Sequence, residues 1–152
     1  YKELALCGYA GANFTPAEGC GVVILKGIEV MERGEQSSKG FLLATEQGGF
    51  TDQQEAKEGF MKLISHLPGE GVYFSNLNGT KLDEVEEQGI KGSALSRVIR
   101  LKRVIGECGA ASGILQVIYG LYSGCKQMMV ININDIAQYS MVMLQGVENG
   151  GY

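Results

Sequence analysis

The chain has 152 residues, 45 % of them hydrophobic and 20 % charged, which excludes a disordered polypeptide and supplies one domain, residues 1–152, with a sizeable core. Its net charge of −4 argues against nonspecific nucleic-acid binding, and no apolar run reaches membrane-span length or resembles a signal peptide. The 23 glycines stand against only 2 prolines and are scattered among apolar runs, which predicts tight turns and close backbone approaches.

In chain order, GCGVVILK (19–26) is a continuous apolar run bounded by glycine and predicts a buried strand. IEVMERGE (28–35) predicts a short helix, and KGFLLATEQGG (39–49) a second strand. TDQQEAKEGFMKLISHL (51–67) is the clearest helix: Ala56, Phe60, Leu63, Ile64 and Leu67 share one face. Thr51 and Gln54 form a capping box at its start, and Pro68-Gly69 stops it. GVYFSN (71–76) predicts a third strand, LDEVEEQ (82–88) a short acidic helix and SRVIRLKRV (96–104) a half-exposed strand. A helix over about 109–123 opens on small residues. QMMVININ (127–134) and YSMVMLQG (139–146) then form a hairpin around Asp135–Gln138. The order βαβαβαβαββ predicts an α/β fold, a layered mixed sheet with helices.

Residue chemistry excludes several functions. Cys7, Cys20, Cys108 and Cys125 have no CxxC spacing, so the reading is of buried free thiols in a reducing, cytoplasmic setting, with no metal site. The glycines follow neither P-loop nor dinucleotide spacing. Arg97, Arg100, Lys102 and Arg103 read as a solvated strand edge, with a docking patch for an acidic partner as the lesser reading. His66, the only histidine, reads as a surface residue at a helix C-terminus.

Four stretches in order resemble the C-terminal half of a β-ketoacyl synthase, a thiolase-superfamily enzyme. Glu18-Gly19-Cys20-Gly21 followed by VVILK resembles the family's E-G-A-G-V-x-V-L-E. Asn76-Leu77-Asn78-Gly79-Thr80 resembles its N-A-H-G-T, and Lys102 with Gly106-Glu107 and GAASG resembles its K-S-x-x-G-H-x-x-G-A-A-G. The closing hairpin resembles the family's last strand pair. The resemblance implies half of a thiolase-like fold and a pocket for an acyl chain on a phosphopantetheine arm. It implies no other cofactor, and as partners a ketosynthase subunit or the N-terminal half, with an acyl carrier protein.

The departures bear on catalysis. The family joins acyl units by decarboxylative Claisen condensation, with a Cys nucleophile and two His that stabilise the enolate. No cysteine here sits in the nucleophile motif, which belongs to the other half. Asn78 takes the place of the first His, and Glu107 that of the second, or Gly106 if the register shifts by one. The family's G-F-G-G turn corresponds to NDIAQ (134–138). Lys102 matches the family's Lys and is read either as electrostatic support, paired with Glu107, or as a surface residue. Glu107 is read equally as a helix-dipole partner, and Asn78-Gly79 equally as a turn pair. The candidate site residues are thus Asn78, Lys102 and Glu107.

Three functions follow. The first is a non-catalytic subunit, similar to chain-length factors, that shapes the acyl cavity. The second is one piece of an active condensing enzyme whose Cys lies on a separate half; a chain beginning at Tyr1 motivates it. The third is a stand-alone interaction domain.

Overall fold

Alternation along QMMVINI and the strands beside it sends successive side chains to opposite faces of one sheet. The structure, a computed structural model, describes residues 19–25, 38–77, 83–133 and 138–147. Its elements are β1 (Gly40–Gly49), α1 (Gln53–Ser65), β2 (Val72–Phe74), α2 (Asp83–Lys91), β3 (Arg97–Ile99), α3 (Lys102–Ile105), α4 (Ala111–Tyr122), β4 (Gln127–Ile133) and β5 (Gln138–Gly146). The strands lie in the order β1-β5-β4-β2-β3. β2 pairs in parallel with both β3 and β4, while β5 is antiparallel to β4 and β1. The sheet is therefore mixed, as the alternation of elements predicts.

Two cores lie on opposite faces of this sheet. Tyr73, Met129, Ile131, Ile133 and Met141 meet Phe60, Leu63 and Ile64 of α1 and Val85 of α2. Their strand neighbours Val72, Phe74, Met128, Val130 and Leu144 meet Val117 of α4. The predicted apolar face of α1 is the one buried. α4 approaches closely because its contact face is small: a Cβ on Gly120 would collide with Met128 and Phe74. The side of α4 against the sheet is Ser112, Gln116, Val117 and Gly120, while Ile114 and Ile118 stand beside Gly21.

Several expectations are corrected. Residues 19–25 form no strand: Gly19 and Gly21 lie against α4 and Val23 packs on the second core, while Cys20, Val22 and Ile24 are exposed. A strand needs a neighbour for its backbone groups, and among the described residues none pairs with this run. The strand predicted over 96–104 ends at Ile99, and the chain turns into α3, with Leu101 and Lys102 both buried at the turn. Lys102 is accordingly not on a solvated edge. The cap of α1 is Asp52, not Thr51: its carboxylate accepts the Glu55 N–H at 2.8 Å, and Glu55 reaches back to the N–H and hydroxyl of Thr51. Of the described cysteines only Cys125 is buried; Cys108 is half-buried and Cys20 exposed. The predicted helix over 28–35, Cys7, Asn78 with its Gly79-Thr80 turn, and 134–137 of the NDIAQ turn lie outside the described residues. Among the described residues no helix is long and apolar enough to cross a membrane.

Candidate functional site

The parallel strands β2 and β4 end on the same edge of the sheet, and α4 begins there. In parallel sheets the crevice beyond the strand carboxyl ends is where ligands bind. Here a cavity of about 410 Å3 is lined by Asn76 after β2, Lys102 at the start of α3, Glu107, Gly109 and Ala110 before α4, Asn132 and Ile133 of β4, and Gln138, Tyr139 and Ser140 of β5.

Asn76 sits two residues beyond β2, where the ladder has ended and the backbone needs other partners. Its N–H donates to Glu86 Oε1 at 2.9 Å, and its side-chain amide donates to the Ile133 carbonyl at 3.1 Å. That leaves Asn76 Oδ1 to accept from Lys102 Nζ at 2.7 Å. Gln116 of α4 holds the preceding residue by donating to the Ser75 carbonyl at 2.9 Å.

Lys102 is buried, and its ammonium stands 2.8 Å from Glu107 Oε2. The five-residue separation closes because Gly106, at φ 82°, turns the chain sharply after α3 in a conformation that favours glycine. The other oxygen, Oε1, accepts the Gly109 N–H at 2.8 Å and the Ser112 hydroxyl at 2.6 Å. Glu107 thus satisfies a free N–H just ahead of α4, whose own N-cap, Ala110, has no side-chain acceptor. One carboxylate therefore serves the ammonium and the helix start together. The charges are paired within the wall: Lys102 donates to Asn76 and meets Glu107 Oε2 as an ion pair, while Glu107 Oε1 receives both of that side chain's hydrogen bonds.

Glu86 lies beneath this layer, buried on α2. Burial pushes its carboxyl up to about 7, only partly offset by the Ser75 hydroxyl and the Asn76 N–H. Burial also raises the Tyr73 hydroxyl well above its usual range, and the Glu86 charge adds to it.

Of the residues singled out from sequence, the structure brings Lys102 and Glu107 together, and Asn78 lies outside the described residues. His66 caps the C-terminus of α1, exposed and on another part of the molecule. Sequence reasoning missed Asn76 as the hub, Glu86 beneath it, and Asn132 and Ser140 in the lining. Asn76 and Asn132 carried a readable signal, a polar amide at or near the end of an otherwise apolar strand. Glu86 carried none, being one of four acidic residues in α2 that differ only in which face they occupy.

No family model matches the chain, and no curated protein matches it. Solved structures do. The oxazolomycin ketosynthase domain OzmH KS8 of Streptomyces albus JA3453 superposes with a TM-score of 0.72 at 17 % identity, over 91 % of this chain and 53 % of that one. A chain of AntDE:AntF, a type II PKS acyl-carrier protein in complex with its ketosynthase bound to the hexaketide, gives 0.65 at 12 % identity, over 78 % and 36 %. The chain thus has the fold of ketosynthases and spans about half or less of the length of these neighbours.

Proposed function

We propose that this chain is part of a ketosynthase-fold protein that encloses an acyl chain without catalysing its decarboxylative condensation, similar in role to a chain-length factor. One observation carries the reading: a carboxylate, Glu107, lines the cavity where the resemblance puts a histidine, and it holds the Lys102 ammonium at 2.8 Å. A condensing site needs donors aimed at the thioester oxygen and the developing enolate. Glu107 is instead an acceptor and a negative charge, and it occupies the nearest cation.

The partners this reading calls for are a ketosynthase subunit, or the remaining half of the fold, and an acyl carrier protein. A neighbour that is a carrier protein in complex with its ketosynthase supports those partner classes. The substrate would be an acyl group on a phosphopantetheine arm, and a reducing, cytoplasmic setting would keep Cys108 and Cys125 as free thiols.

The test is carbon dioxide release from malonyl-carrier protein by the full-length protein purified from its own source, with any co-purifying polypeptide identified by native mass spectrometry. The expected result is a co-purifying ketosynthase subunit that carries the nucleophilic Cys and both His of its own, and no release by this protein without it; a partner that supplies the Cys but lacks the two His would make this chain one piece of the active enzyme. Release by this protein alone would replace the reading with an active condensing enzyme.

A further inference from the structure

From the charge balance of the cavity wall, we infer that the site selects neutral acyl thioesters and rejects half-acid ones such as malonyl thioesters. This rests on the reading of the cavity as an acyl-thioester pocket and adds to it the ligand's charge.

Among the described residues that line the cavity, Lys102 is the one cation and Glu107 the one anion. Each is at least nine-tenths buried, and they are in direct contact. Nζ of Lys102 also donates to Asn76 Oδ1 at 2.7 Å and to the Asn76 carbonyl at 3.4 Å, so its charge is paired with Glu107 and its hydrogen bonds go to Asn76, all inside the wall. Glu107 is held from the other side by Gly109 and Ser112 and cannot swing away without leaving the start of α4 short of an acceptor. A ligand carboxylate entering here finds no unpaired cation. It would have to displace Glu107 from Lys102 or sit beside Glu107 as a like charge, in a setting where water screens little.

The rest of the polar lining is uncharged. Asn132 and Ser140 offer an amide and a hydroxyl, which suit the carbonyl and amides of a neutral thioester. Shape does not separate the two ligand classes, because a malonyl unit and a butyryl unit are of similar size and a cavity of about 410 Å3 admits either. Charge is what differs.

The experiment is calorimetric titration of the full-length protein with S-butyryl-pantetheine and S-malonyl-pantetheine near neutral pH. The expected result is at least tenfold tighter binding of the butyryl compound. Glu107→Gln, which keeps the side chain's shape and removes its charge, should bring the two affinities within about threefold by strengthening malonyl binding. Equal or tighter malonyl binding by the unaltered protein overturns the inference, as does an unchanged ratio in Glu107→Gln. If that variant does not fold, the ratio in the unaltered protein decides. Binding of neither thioester removes the acyl-pocket reading itself. Binding of both alike keeps that reading and removes the charge selection.

Discussion

Glu86 holds Asn76 from below: its Oε1 accepts the Asn76 N–H at 2.9 Å, and Asn76 in turn accepts the Lys102 ammonium on its side-chain oxygen. A group on the acidic helix α2 thereby sets the backbone at the end of β2 and, through it, the cation of the cavity wall. The relationship gives Glu86 a measurable signature.

Burial raises the Glu86 carboxyl from 4.5 to about 7, so the folded protein holds this proton more tightly than the unfolded chain does. Its contribution to stability is therefore fully present below about pH 4.5 and is lost as pH rises toward 7. The loss is on the order of 3 kcal/mol, at 1.36 kcal/mol for each pH unit between the two values. Glu86→Gln keeps an acceptor for Asn76 and does not titrate. Urea denaturation of both proteins between pH 4.5 and 8 should show the wild type falling relative to the variant across that window. Parallel curves would show that Glu86 does not carry the raised proton affinity.

The Lys102–Glu107 pair should behave as a unit. Lys102→Met leaves a buried carboxylate without its cation and is expected to cost about 3–5 kcal/mol. The double variant Lys102→Met, Glu107→Gln removes both charges and should recover more than half of that loss. A double-mutant cycle in denaturant measures the coupling; additive costs would mean the pair contributes nothing as a pair.

At the start of α1, Asp52→Ala removes the acceptor for the Glu55 N–H and should lower stability by about 1 kcal/mol. Thr51→Val, which removes only the hydroxyl that bonds to the exposed Glu55, should cost less. Thermal melts of the two variants distinguish Asp52 from Thr51 as the cap.

Gly146, at the end of β5, has the Cys125 carbonyl where a Cβ would go, and backbone cannot rotate aside as a side chain can. Gly146→Ala is expected to cost about 2–3 kcal/mol. Gly124→Ala is the comparison: at φ 71° it has open space around it and bears only the left-handed penalty, roughly 1 kcal/mol. Chemical denaturation that ranks the two in the opposite order would mean that the β5 end is free to shift.

The sequence by itself determined what depends on near neighbours. The one-sided apolar pattern of α1 is a periodic signal that marks its buried face whatever lies opposite, and the continuous apolar runs of β2 and β4 mark strands covered on both faces, β4 pairing with β5 as the predicted hairpin. The resemblance also picked out Lys102 and Glu107, because they stand five residues apart in one recognisable stretch. Only the tertiary structure decided the rest. The run GCGVVIL is as apolar as any true strand here, yet whether it becomes one depends on a neighbour that local pattern does not encode. Asn76, Glu86 and Ile133 are separated by 10 to 57 residues and meet only because β2 lies between β3 and β4 and α2 packs back on the sheet. Lys102 reads as one of several surface cations until α3 turns it inward, where a buried ammonium needs the carboxylate and amide that the fold places beside it. Periodicity reports which side of an element is covered; which polar groups meet at its end is a property of the sheet order.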